Sequence, residues 1–153
     1  MSIFLGGTGS ANELHDYEEG NWTVSLGNGG SYSSQQYARY VKTGGLVFVN
    51  YYIHGIQPPN NSSSFIISGL PFTCNGTSHG FGNFAYTGGS GMSAVNLMPI
   101  AATNNTYIYF HRQDGTSANW TNAQQRSTNW NQPHIIGFFY QTDSYPNVHI
   151  CDG

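Results

Sequence analysis

The chain has 153 residues, enough for one domain with a real hydrophobic core, yet charged side chains make up only 7% of it, against about 25% in ordinary soluble proteins. Solubility must come from Asn, Ser, Thr, Gln and Gly, while aromatic residues at 15% exclude a disordered chain. With a net charge of −3, only four basic side chains (Arg39, Lys42, Arg112, Arg126) and no apolar run near the ~20 residues that cross a bilayer, neither nucleic-acid binding nor membrane insertion is expected.

At the N-terminal end, Met1 to Gly9 lacks the basic start and apolar centre of a secretory signal. The stretch NELHDYEEGNWTVSL, Asn12 to Leu26, then concentrates Glu13, Asp16, Glu18 and Glu19, four of the seven acidic residues. Beyond Gly20 the charges nearly vanish and the pattern turns to period two in short segments bounded by turn residues. That pattern predicts strands at Trp22 to Leu26, Gln35 to Lys42, Leu46 to His54, Ser64 to Ser68, Gly80 to Tyr86, Ala94 to Ala101, Tyr107 to Arg112 and His134 to Thr142. Helical periodicity is absent, so no helix is expected.

Two hairpins stand out. Thr43-Gly44-Gly45 joins the second and third runs, with glycines able to take the positive φ that tight turns require. Thr103-Asn104-Asn105 joins the sixth and seventh, with asparagines suited to left-handed backbone. Eight strands spaced by such turns predict an all-β fold, an antiparallel β-sandwich or jelly roll.

The faces carry a further signal. In Leu46 to His54 both Leu46/Phe48/Asn50/Tyr52 and Val47/Val49/Tyr51/Ile53 are largely apolar, and the same holds for Ile136/Phe138/Tyr140 against Ile135/Gly137/Phe139. A lone antiparallel sandwich has one wet face per strand. Two-sided apolarity therefore points to outer faces covered by another subunit, the alternative being tyrosines lying flat on a neutral surface.

Three segments carry a family resemblance. FLGGTGSANELHDYEEGNWTVSL, RYVKTGGLVFVNYYI and FIISGLPF, spread from Phe4 to Phe72, resemble the junction and early β segments of the C-terminal head of bacteriophage tail-fibre and tailspike proteins. After Phe72 only the all-β style is shared. The resemblance implies a homotrimer, with residues 1–20 as a stalk end and acidic collar and 21–153 as a receptor-binding β domain. It implies a place at the virion tip, the rest of the fibre on the N-terminal side, and Met1 as the start of a fragment. In such a collar Glu18 and Glu19 are expected to meet Arg39 or Lys42 or to face solvent, with Tyr17 and Trp22 anchoring the chain on either side of Gly20.

Enzymatic signatures are weak. A glycosidase needs two carboxylates about 5 to 10 Å apart in a cleft, and Asp114, Asp143 and Asp152 each sit among turn residues, where Asp is a turn former. Cys74 with His79 and His149 with Cys151 are zinc-type residues without zinc spacing. No metal or other cofactor is expected, and a Cys74–Cys151 disulfide is left open.

What remains is recognition chemistry. Asp114 to Pro133 is a loop of two tryptophans, Arg126 and many amides without strand pattern, and such loops on a β scaffold are commonly functional. Trp120 and Trp130 are candidate stacking platforms for sugar rings, with Asn119, Asn129 and Arg126 as hydrogen-bonding partners and Asp114 and Tyr145 as further candidates. The alternative is that these tryptophans plug the end of the sandwich or seal a subunit contact. The expected function is a non-enzymatic host-receptor head binding a cell-surface polysaccharide or an outer-membrane receptor. The alternatives are a glycan depolymerase fragment and a purely structural trimerisation tip.

Overall fold

The computed structural model describes residues 3–4, 13–14, 17–77, 79–87, 97–112, 119–127 and 133–143, and the statements below concern these. Two short strands, β1 (Ile3–Phe4) and β2 (Glu13–Leu14), pair only with each other. The remaining strands are β3 (Tyr17–Asn21), β4 (Ser25–Leu26), β5 (Ser34–Thr43), β6 (Leu46–His54), β7 (Ile66–Ser68), β8 (Phe81–Thr87), β9 (Leu97–Ala101), β10 (Tyr107–Arg112) and β11 (Pro133–Gln141). They form one antiparallel nine-stranded sheet in the order β3-β5-β6-β11-β8-β9-β10-β7-β4.

The two edges of this sheet, β3 and β4, come from adjacent stretches of chain. Only Trp22, Thr23 and Val24 separate them, a span of roughly 14 Å at most, so the sheet must curl until its edges approach. The expected strand from Trp22 to Leu26 is therefore broken: Tyr17–Asn21 pairs with β5, Ser25–Leu26 pairs with β7, and the linker crosses the seam. Trp22, Val24 and Leu26 are all buried, as period two predicts.

Side chains replace the missing ladder across the seam. Trp22 N still donates to Ala38 O at 3.0 Å, but Val24 N donates to Gln35 Oε1 at 3.0 Å, Gln35 Nε2 to Trp22 O at 3.1 Å, and Tyr32 Oη to Val24 O at 2.7 Å. One glutamine amide thus satisfies both a donor and an acceptor of a buried linker, where an orphaned backbone group would cost about 1 to 3 kcal/mol.

The β5–β6 hairpin closes with Thr43 opposite Leu46 and positive φ at Gly44, the signature of a tight turn with glycine first. In the β9–β10 connection Asn104 alone takes the left-handed conformation, and Asn105, expected to share it, does not. A helix, α1 (Asn122–Ser127), occupies part of the loop expected to be irregular. Its six residues are too short for a periodic signal, but its start carries a capping box: Thr121 Oγ1 accepts from Gln124 N at 3.3 Å while Gln124 Oε1 accepts from Thr121 N at 2.8 Å.

The inward face builds the core. Val47, Val49, Tyr51 and Ile53 of β6, Ile136, Phe138 and Tyr140 of β11, and Ile108 and Phe110 of β10 are all buried, joined by Trp22, Phe65 and Ile67. At its centre His134 is 2% exposed and neutral, burial pushing its imidazole down to about 3. Cys74 is fully buried, with its thiol pushed up by that burial. Cys151, the other half of the possible disulfide, lies outside the described residues.

Candidate functional site

The adjacent glutamates Glu18 and Glu19 are met by tyrosines. Glu18 Oε1 accepts from Tyr40 Oη at 2.6 Å, and Glu19 Oε2 from Tyr17 Oη at 2.7 Å; both glutamates face solvent. Gly20 and Tyr40 are cross-strand partners, and the Tyr40 ring covers the glycine, 2.8 Å from where a Cβ would stand. Each carboxylate raises the pKa of the phenol that donates to it. Lys42, the register partner of Glu18, is 3% exposed and turns inward, its ammonium 5.7 Å from the Phe72 ring centre. Trp22 anchors the chain in the core as expected; Tyr17, at 39% exposed, does not.

Of the candidate ligand residues, Trp130, Asn129, Asp114 and Tyr145 lie outside the described residues, as do His149 and Asp152. Arg126 falls within α1. Trp120 corrects the expectation of an open stacking platform. It is 5% exposed because its backbone is tied on both sides, Trp120 N donating to Phe110 O at 2.7 Å and Phe65 N to Trp120 O at 2.8 Å, and its ring is drawn into the core beside Arg112. The plug reading of this tryptophan is the one its burial matches.

Asn119, one residue earlier, is exposed on the outer surface. Its Nδ2 donates to Ser64 Oγ at 3.2 Å, and from the other side Asn28 Nδ2 donates to Ser64 O at 3.1 Å. Asn28 can approach because it takes a left-handed conformation, φ 59°, in the short 3-10 turn Gly27–Gly29. Together with Tyr107, Tyr109 and Ile66 these residues line a groove of about 300 Å³. Two phenols on a fixed strand beside two side-chain amides are groups that pattern reading of the loop alone had missed. The available signal was the alternation Tyr107/Tyr109 against the buried Ile108/Phe110.

No family model matches the chain, and no curated protein and no solved structure is significantly similar to it. The site must therefore be read from its own chemistry.

The rest of the outer face is ordered in cross-strand rows. One apolar row runs from Phe48 on β6 through Phe139, Phe81, Ile100 and Tyr109 to Ile66 on β7, each residue the register partner of the next. Phe81 is 67% and Phe139 42% exposed, with Leu46 at 50% beside them. The Phe139 ring lies 4.7 Å from that of Phe48 and 6.5 Å from that of Phe81. The adjoining row is polar: Asn21, Arg39, Asn50, Gly137 and Asn83 are successive partners on β3, β5, β6, β11 and β8. Among the described residues no group of three metal-ligating side chains comes together; His79, one of the zinc-type residues, instead places Nδ1 3.1 Å from Ala101 O.

Proposed function

We propose that this chain is a non-enzymatic recognition head, the receptor-binding domain of a phage tail fibre or spike, built as a sandwich-like or jelly-roll-like all-β body. It acts at the virion tip as a homotrimer. Its target is a host surface glycan or outer-membrane receptor. The viral assignment rests on the motif resemblance between Phe4 and Phe72.

The observation that carries the binding function is the groove at Asn119. Tyr107 and Tyr109 supply apolar ring faces with hydroxyl tips, and the Asn28 and Asn119 amides donate and accept beside them. Sugar rings offer the matching pattern of a C–H face edged by hydroxyls. The groove sits on paired strands and on amides fixed by Ser64, so little ordering entropy is lost on binding. Three copies on one stalk would add weak contacts through effective concentration. The exposed apolar side chains Leu46, Phe81 and Phe139, outside that groove, support assembly, because clustered exposed apolar surface marks a contact site.

The test is adsorption of labelled protein to a panel of bacterial strains. Tyr109→Ala and Asn119→Ala are expected to reduce adsorption about tenfold or more while leaving assembly unchanged. Variants that assemble and still adsorb like the parent would dismiss the groove, and release of shortened polysaccharide by the parent protein would favour a depolymerase instead.

A further inference from the structure

We propose that a second groove, on the outer face of β3, β5 and β6, binds a neutral saccharide chain laid across the strands. It rests on the recognition reading only in taking a saccharide as the target, and it uses different residues. Glu19, Asn21, Arg39, Val41, Phe48 and Asn50 line a cavity of about 420 Å³, within the size range of small-molecule sites.

The donors and acceptors are unspent. The Arg39 guanidinium makes no hydrogen bond or ion pair among the described residues. Asn50 Oδ1 is buried with no hydrogen-bond partner among the described residues. Glu19 Oε2 is held by the Tyr17 hydroxyl at 2.7 Å, which orients the carboxylate and leaves Oε1 to accept from a ligand. The frame beneath them is set: Asn21, Arg39 and Asn50 are direct partners on three paired strands, and Trp22 Nε1 donates to Arg39 O at 3.2 Å.

This set selects its ligand. A carboxylate only accepts, a guanidinium only donates, and an amide does both, so the groove as a whole suits hydroxyls, each of which donates and accepts. Phe48, its ring braced by Phe139, and Val41 supply the apolar wall for the C–H face of a sugar. Neighbouring strands lie about 4.8 Å apart, comparable to the repeat of a pyranose along an extended polysaccharide, so Asn21, Arg39 and Asn50 can address successive units. An anionic sugar is disfavoured by Glu19 inside the groove and by the net charge of −3.

The experiment is a printed array of neutral and uronic-acid glycans probed with the parent protein and with Arg39→Met, Asn50→Leu and Tyr109→Ala. Arg39 is exposed, so Arg39→Met is expected to keep the parent's thermal midpoint, and Asn50→Leu, which removes a buried acceptor, to keep or raise it. The parent is expected to be retained on neutral extended glycans, with Arg39→Met and Asn50→Leu each lowering retention roughly tenfold, as for loss of one charge-assisted or buried hydrogen bond. Loss confined to Tyr109→Ala would overturn this groove and leave the receptor proposal standing. No retention, retention on uronic-acid glycans alone, or retention indifferent to both variants would also overturn it, while adsorption to cells reads the receptor proposal separately.

Discussion

His134 and Tyr51 face each other at the centre of the core, Tyr51 Oη 2.9 Å from His134 Nδ1 and the two rings stacked 5.7 Å apart at 10°. Phe65 and Phe110 close on the imidazole edge-on, at 6.2 and 5.9 Å. The contact satisfies the Tyr51 hydroxyl and His134 Nδ1 in a site that water does not reach.

This pair makes stability depend on pH. The unfolded imidazole titrates near 6.5 and the folded one near 3, so between those values the unfolded chain binds a proton that the folded chain refuses. The contribution of His134 is complete above 6.5 and is lost as pH falls toward 3, by at most about 1.4 kcal/mol per pH unit. Urea unfolding at pH 7, 6 and 5 is expected to show this slope in the parent and a shallower one, by close to one proton, in His134→Phe. That variant also strands the Tyr51 hydroxyl, at a cost of about 1 to 3 kcal/mol, which the double variant with Tyr51→Phe is expected to recover in part. Equal slopes in parent and variant would mean that the imidazole is not buried neutral.

The reciprocal bonds between Thr121 and Gln124 hold the first turn of α1. Thr121→Ala is expected to cost about 1 kcal/mol, and Gln124→Ala somewhat less. Faster amide hydrogen exchange at Gln124 N, whose acceptor is the Thr121 hydroxyl, would report the loss locally. A Thr121→Ala variant with unaltered exchange there would show that the cap does not hold the turn.

Gly82 and Gly137 lie on neighbouring strands but have opposite tolerance. A Cβ on Gly82 would drive into the Gly137 carbonyl oxygen and stand 2.7 Å from Phe138 Cα, whereas a Cβ on Gly137 would meet only the Phe48 ring, at 3.6 and 3.7 Å. Gly82→Ala is expected to destabilise by about 1 to 3 kcal/mol. Gly137→Ala is expected to be neutral or to stabilise by about 0.5 to 1 kcal/mol, because it restricts the unfolded chain. Thermal midpoints of the two variants in reversed order would contradict the register of β8 on β11.

Phe81 and Phe139 test assembly. In a solitary chain Phe81→Ser removes a side chain that is already largely wet, with an effect within about 0.5 kcal/mol, while Phe139→Ser removes a ring packed on Phe48 and is expected to cost about 1 kcal/mol. In a homotrimer that covers Leu46, Phe81 and Phe139 they remove the centre of the contact, and sedimentation velocity is expected to shift from trimer to monomer. A parent protein that sediments as a monomer at working concentration would end the homotrimer reading.

The periodicity of the chain determined a good deal by itself. Leu46–His54 and Tyr107–Arg112 were legible to the residue, because a strand in a half-buried sheet alternates and glycine or asparagine marks its end. The two-sided apolarity of Leu46 to His54 and of His134 to Thr142 was equally legible, and it appears as the buried core on one face and the open Phe48–Phe139–Phe81 row on the other. Local sequence did not reveal the fate of Trp120, Lys42 and the Trp22–Val24 linker. Trp120 sits among polar neighbours and reads as exposed, yet bonds to Phe65 and Phe110, 55 and 10 positions away, bury it. Glu18 and Arg39 carry opposite charge and read as partners, yet the chain places Tyr40 against Glu18 and leaves Arg39 on the outer face. Alternation is a property of neighbouring residues and survives in any sheet; which strand lies beside which, and which edges of the curl approach, depends on contacts distant in sequence, and only the tertiary structure decided those.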